Sequence, residues 1–348
     1  MSNQNDGIKG QSGKRHVIIG GDGFVGAQLA QDLVERGADV VVADITNSGH
    51  DVYGQARFIE VDVTAPDSLK ALGLKADDVV YNMSAKMLSP LQARAKRHDF
   101  FWPVNYHGTA HILEAMAAAG AHRLVHFTTD MVYGHALQVP VREDHRAAPL
   151  GEYGLSKLES EKLVETYRAK GMAISVFRPR LIIGPGRLGI LTKLFKLIDL
   201  NLPVPMIGAG RNAYQFISVF DCASAARLAA EAGLPNEAYN LGSDDPPPVR
   251  TLLRDLIAHA GSRSLVLPTP AWLVKRTLDG LDLVNMPLMD PEQYLIADEY
   301  CVLDTSKAKR DLGWAPQHDD TSMLKSAYDG YRAGRRQTAT KADAPIAA

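Results

Sequence analysis

Through its first half, the chain alternates short runs of apolar and β-branched residues with stretches whose apolar positions recur at helical spacing. The runs at 17–19, 40–43, 56–60, 79–83, 123–128 and 174–177 predict strands, and the stretches at 28–36, 105–119 and 153–170 predict helices. Several of the runs lack polar alternation, as strands buried on both faces do. Strands interleaved with helices predict an α/β fold: a doubly wound parallel sheet covered on both faces, with its ligand crevice at the strand C-terminal ends. Past residue 179 the rhythm changes. Glycine and proline become frequent and helices are expected at 221–232 and 249–260. The expected division is a dinucleotide-binding domain at 14–180 and a smaller C-terminal α/β substrate-binding lobe at 181–333, with strands such as 239–241 free to return to the first sheet. The polar ends, 1–13 and 334–348, are expected to be disordered tails.

The stretch after the first run carries the first candidate chemistry. Gly20-Gly21-Asp22-Gly23-Phe24-Val25-Gly26 lies between a predicted strand and a predicted helix. That context gives weight to a Gly-x-Gly-x-x-Gly pattern, because glycines let the backbone turn sharply and approach a pyrophosphate that the helix N-terminus then holds. Gly20, Gly23, Phe24, Val25 and Gly26 are therefore candidate cofactor contacts. Asp44 ends the second run, 18 residues past Gly26. A carboxylate there accepts from a ribose 2′-hydroxyl and repels a 2′-phosphate, so NAD is expected rather than NADP. Asp62, with Val63 beside it, follows the third run. It can take the adenine amino group or stand as a solvated loop carboxylate.

Tyr153 and Lys157 lie four residues apart at the start of a predicted helix, so they share a face. A tyrosine ordinarily titrates near pH ~10. A lysine one turn away, together with a positive nicotinamide ring, brings it toward neutrality, so that it can exchange a proton with a substrate hydroxyl or carbonyl. Thr128 and Thr129 end the fifth run at the ligand-binding edge, where a hydroxyl can donate to the substrate oxygen.

The totals exclude more than they assign. The chain has 348 residues, 46% hydrophobic and 22% charged, with a net charge of −2, so nothing in the balance points to nucleic acid or a membrane surface. Its two cysteines, Cys222 and Cys301, make no disulfide framework and fit a reducing, cytoplasmic setting. No apolar run is long enough to span a bilayer, and no spacing of His, Cys, Asp and Glu points to a metal.

Taken together, these motifs resemble the extended short-chain dehydrogenase/reductases, in particular the NAD-dependent epimerase/dehydratase group acting on nucleotide sugars, whose fold is of the Rossmann type. The resemblance runs from about residue 14 to 334. It rests on the glycine turn, Asn105-Tyr106-His107-Gly108-Thr109, Thr128 to Gly134, Tyr153 with Lys157, Arg178-Pro179 with Gly184-Pro185-Gly186, residues 216–221, and 303–308 leading to Leu312-Gly313-Trp314. It implies tightly held NAD, a catalytic set of Thr129, Tyr153 and Lys157 with Asn105 near the proton network, and cofactor contacts from Ser84, Ala85 and Lys86 as well as from Tyr153 and Lys157, the lysine on the nicotinamide ribose. For Lys86 a solvated loop position is the alternative. It also implies a homodimer paired through the helices at 105–119 and 153–170. The implied reaction oxidises a sugar hydroxyl to a transient ketone.

Some residues depart from the pattern. Thr129-Asp130-Met131 stands where sugar 4,6-dehydratases carry Thr-Asp-Glu, and a thioether cannot abstract a proton. Tyr214 stands where nucleotide-sugar epimerases place an arginine on the pyrophosphate, and 297–299 lacks a second one. Arg180, Arg187 and Arg211 are the candidates to replace those contacts, with Asp130 and Met131 expected on the substrate side. The apolar stretch at 265–294 is either ordinary core or a lid of the kind the 3β-hydroxysteroid dehydrogenase branch carries. The leading expectation is an epimerase-type oxidoreductase on a nucleotide sugar. An NAD-dependent dehydrogenase of an apolar alcohol is the alternative, and a non-catalytic NAD sensor a third reading.

Overall fold

The computed structural model describes residues 13–49, 55–185, 188, 189 and 191–342. Its centre is a seven-stranded, all-parallel sheet of β1 (Arg15–Ile19), β2 (Asp39–Asp44), β3 (Arg57–Glu60), β4 (Val79–Asn82), β5 (Arg123–Phe127), β6 (Ala173–Pro179) and a late-coming strand, Ala238–Leu241. The spatial order is β3-β2-β1-β4-β5-β6 followed by Ala238–Leu241. Val17 pairs with Val41 on one side and Val80 on the other. The winding therefore reverses between β1 and β4, and a crevice opens beyond their C-terminal ends, where Gly20 and Ser84 lie.

Helices cover both faces because both faces of these strands are apolar. On one side, α1 (Phe24–Glu35) contributes Leu29 and Leu33, and the helix Val219–Glu231 contributes Cys222, Ala225 and Ala229, against Ile18, Val42 and Tyr81. On the other side, the helices Thr109–Ala119 and Glu152–Arg168 bury Ile112, Met116, Val164 and Tyr167 against Val17, Val41 and Leu124. Helix starts earlier than expected before residue 105. The chain is helical from α2 (Arg97–Trp102), passes through a wider π-type turn at Pro103–Gly108, and continues as α3 (Thr109–Ala119). Pro103 has no N–H to give to the preceding turn, and the ladder widens there. The helix that carries Tyr153 and Lys157 is α4 (Glu152–Arg168).

Past residue 180 a third cluster, with Phe195, Ile198, Leu256, Leu324 and Tyr328 at its centre, holds together α5 (Leu191–Asp199), two short parallel strand pairs and the later helices. Ala238–Leu241 leaves this region to pair with β6. The stretch expected to form a lid folds as a strand, Val266–Thr269, and two helices, Ala271–Leu283 and Pro291–Tyr294. The closing helix, Asp320–Ala342, runs through much of the expected C-terminal tail. Residues 1–12 and 343–348 lie outside the described residues.

Candidate active site

A cavity of about 780 Å³ opens at the reversal point between β1 and β4 and reaches across to residues past 180, among them Leu191 and Tyr214. Its floor is the glycine turn. Gly20 sits at φ +78°, and a Cβ on it would lie 2.5 Å from the Ser84 amide nitrogen. A Cβ on Gly26 would lie 2.2 Å from the Gly20 carbonyl oxygen. Both positions exclude a side chain, and the tight turn aims the first amides of α1 at the cavity, a cradle of the kind a pyrophosphate occupies. Gly20, Gly23, Phe24 and Val25 line it. Gly26 sits behind them in the first turn of α1 and does not line it.

Asp44 lies at the end of β2 on the same side. Its Oδ2 accepts from the Asp22 amide at 3.0 Å and its Oδ1 from the Ile45 amide at 2.8 Å, which fixes the carboxylate beside the turn. Half-burial raises its pKa, and the two amides oppose that. Asp62 is exposed at the rim, held by the Thr64 amide and hydroxyl at 2.8 and 2.7 Å, and these bonds lower its pKa. Val63, Ser84, Ala85 and Lys86 complete this wall. The Lys86 ammonium lies over the Phe100 ring, 5.6 Å from its centre.

The opposite wall is α4 and the end of β5. Tyr153 is 3% exposed and lines the cavity. Its ring packs against Phe101, and its hydroxyl donates to the Met87 sulfur at 3.4 Å. Lys157 is buried, with its Nζ donating to the Phe127 carbonyl at 3.0 Å. Burial pushes the Lys157 ammonium down to about 8, while Glu161, one turn further along α4, pulls the other way. Thr128 is committed to the scaffold, donating to Glu161 at 2.6 Å. Thr129 lines the cavity and accepts from the Met131 amide at 3.2 Å, and Met131 lines it too. Asn105 is fully buried one layer behind. Its side chain bridges the Lys86 backbone in both directions (2.8 and 3.1 Å) and donates to Ser156 at 3.0 Å. It thus ties the cofactor-side loop to the residue preceding Lys157.

The three arginines expected on the substrate part company. Arg180 is buried, lines the cavity and is ion-paired with Asp130. Arg211 is exposed and does not line the cavity; its backbone carbonyl accepts from the Tyr300 hydroxyl. Arg187 lies outside the described residues. Tyr214, at the position read as a missing arginine, places its ring under the Arg180 guanidinium, 4.2 Å from the ring centre.

Glu292 was not among the expected site residues. It is 1% exposed and reaches from the helix Pro291–Tyr294 to the N-terminus of α4, accepting from the Tyr153 amide at 2.9 Å and the Gly154 amide at 2.9 Å. Asp290-Pro291-Glu292 reads locally as a helix cap, and no local pattern says that its carboxylate meets residue 153, nearly 140 positions earlier. Among the described residues no group of His, Cys, Asp and Glu could hold a metal ion, and no helix is long and apolar enough to cross a membrane.

Residues 16–242 match the model of the NAD-dependent epimerase/dehydratase family. A UDP-glucose 4-epimerase from Corynebacterium glutamicum is 29% identical over 337 residues, covering 88% of this chain and 92% of that protein. An uncharacterised protein from Sinorhizobium fredii is 28% identical, covering 92% of this chain and 80% of that one. Among solved structures, UDP-glucose 4-epimerase from Thermotoga maritima with UDP-glucose aligns with a TM-score of 0.74 at 23% identity, covering 92% of this chain and 99% of that one, a likeness of fold.

Proposed function

The chain belongs to the NAD-dependent epimerase/dehydratase family of enzymes, and from that premise we propose that it oxidises a hydroxyl of a nucleotide sugar to a transient ketone and restores it, as an epimerase does, with Tyr153 as the general acid/base. One observation carries this reading: Tyr153, Lys157 and Thr129 line the same cavity as the glycine turn and Asp44. NAD, when bound, supplies the hydride acceptor. The amides at the start of α1 and the Gly20–Gly23 turn hold its pyrophosphate, Asp44 its ribose, and Asp62 and Val63 flank its adenine end. Tyr153 takes the substrate proton, Lys157 stabilises the phenolate that results, and Thr129 orients the substrate oxygen. Asn105 keeps the Lys86 loop and α4 in register.

Met131 gives no base for proton removal beside Thr129, which favours epimerisation over 4,6-elimination. A second reading, net oxidation of an apolar alcohol, draws on the apolar part of the wall, with Leu181, Ile182, Leu188 and Met289. An assay separates the two. Protein incubated with UDP-glucose or UDP-galactose, with products resolved by NMR and absorbance followed at the NADH band, is expected to interconvert the sugars with no net NADH. NADH accumulating with hydroxysteroids, and no change in any nucleotide sugar, would reverse the choice.

The Asp44 assignment has its own test. Asp44→Asn keeps the shape and loses the charge, so NAD affinity is expected to fall about tenfold, the size of one charge-assisted hydrogen bond, while NADP is tolerated better. Titration of the stripped protein with each dinucleotide reads this directly, and an unchanged NAD/NADP ratio would remove Asp44 from the ribose. We also propose a cytoplasmic homodimer paired through α3 and α4. Both cysteines are buried and free, which fits a reducing compartment, and sedimentation of the purified protein tests the pairing.

A further inference from the structure

Along the helix Ala271–Leu283, Trp272, Arg276, Gly280 and Leu283 recur at spacings of three and four, and with Leu273 and Val284 beside them they form its outer face. Trp272, Leu273, Leu283, Val284, Met286 and Leu288 are 48–69% exposed. Around the preceding strand, Val266–Thr269, Leu265 and Leu267 turn outward as well. The inner face of the helix is apolar too, with Val274, Leu278 and Leu281 half-buried. A helix apolar on both faces is normally covered on both. One exposed leucine needs no explanation, but a run of large apolar side chains on one surface marks a contact.

The charges on this stretch say what kind of contact. Its acids turn inward. Asp282 is buried and pairs with Arg97 of α2, and Asp279 accepts from the Tyr294 hydroxyl at 2.7 Å. Lys275 pairs with Asp298. The exposed charged side chains between residues 261 and 289 are Arg263 and Arg276, both cations, and neither has an ion-pair partner among the described residues. The net charge of −2 averages this face away. An arginine set between a tryptophan and leucines suits the boundary of an anionic bilayer. The apolar side chains enter the acyl region while the guanidinium reaches back to headgroup phosphates. A protein partner would need an acid placed opposite Arg276, whereas a headgroup layer supplies an anion wherever the arginine lands.

We propose that the outer face of the helix Ala271–Leu283 docks on the surface of an anionic bilayer. Among the described residues no helix is long and apolar enough to cross a membrane, so the contact is peripheral. The homodimer proposed above pairs α3 and α4, and none of these side chains lies on either helix. Leu288 belongs to the exposed surface and also lines the cavity, next to Met289. Docking therefore sets the rim of the cavity at the lipid–water boundary.

Co-sedimentation of the full-length protein with phosphatidylcholine vesicles, with and without about 30% phosphatidylglycerol, tests it. Wild-type protein is expected to partition about tenfold or more in favour of the anionic vesicles and to detach as salt is raised. Trp314 is buried and Trp102 half-buried, so a blue shift of tryptophan emission on the vesicles is expected from Trp272 and is lost in Trp272→Phe. Arg276→Glu is expected to weaken binding about 10- to 30-fold. Trp272→Ser combined with Leu283→Ser abolishes it and leaves the melting temperature unchanged. The wild-type comparison stands even where a variant folds poorly. Wild-type protein left in the supernatant with the anionic vesicles would overturn the docking, and so would equal partition onto both kinds of vesicle. A smaller assembly for the double serine variant than for wild type in sedimentation velocity would also overturn it, because a second copy of the chain would then be what covers this face.

Discussion

Tyr153→Phe is expected to lower turnover about 100- to 10,000-fold, the range for loss of a positioned general acid/base, while bound NAD and thermal stability stay near wild type. The substitution removes one oxygen and keeps the ring that packs against Phe101. Tyr153 lines the cavity, and its hydroxyl donates to the Met87 sulfur at 3.4 Å, a weak acceptor. The loss therefore falls on chemistry and not on the fold. Lys157 sets the alkaline side of the same experiment. Its ammonium titrates at about 8, so the charge that favours the phenolate is present below that pH and fades above it. The wild-type kcat/KM profile is expected to fall above about pH 8 for that reason. Turnover by Tyr153→Phe within threefold of wild type would transfer the proton to another group and dismantle the proposed mechanism.

The parallel sheet was legible because its strands are buried on both faces, so their composition alone marks them. Val40 to Val42 needs no partner to be read as interior. The glycine turn was legible for a related reason: where an added Cβ would stand 2.2 Å from a backbone oxygen, as at Gly26, only glycine fits. What could not be read is what depends on distant residues meeting. The segment before residue 105 looks like a charged surface stretch, yet Arg97 is 6% exposed because Asp282 and Asp290 arrive to neutralise it. Arg180 and Arg211 are the same residue type in similar local settings, and only the tertiary fold buries one in the cavity and leaves the other in solvent. Tyr214 read as an arginine gone missing; in the structure it is the platform on which another arginine lies. Local pattern reports the burial of apolar runs well, and poorly the burial of a charged side chain, which depends on a distant partner.

Glu292→Gln is expected to make the protein more stable than wild type at pH 8.5 and to leave the two alike near pH 5. Burial pushes the Glu292 carboxyl up to about 8, with Asp290 adding to the rise, while the Gly154 and Tyr153 amides and Arg97 oppose it. The carboxyl faces Asp290 on its own helix, with Arg97 of α2 and Asp282 of the helix Ala271–Leu283 behind them. A group whose pKa is higher in the folded chain than in the unfolded one holds its proton preferentially in the fold. Its contribution is complete below the unfolded value, ~4.3 for a glutamate, and drains away as the pH rises through about 8. Over that window the wild type gives up stability on the order of 5 kcal/mol at the upper limit. Glutamine cannot titrate, keeps an oxygen for the α4 amides, and loses the slope. Glu292→Ala is a different change. It strands the Tyr153 and Gly154 amides in the space that Gly154 leaves open, where an added Cβ would stand 2.6 Å from Glu292 Oε2, and two buried unpaired donors cost about 1–3 kcal/mol each at every pH. Melting temperatures of the three proteins from pH 5 to 9 read both effects. A Glu292→Gln curve that runs parallel to wild type across that range would mean the carboxyl is already ionised in the fold, and the helix that carries Tyr153 would then be capped by a full negative charge.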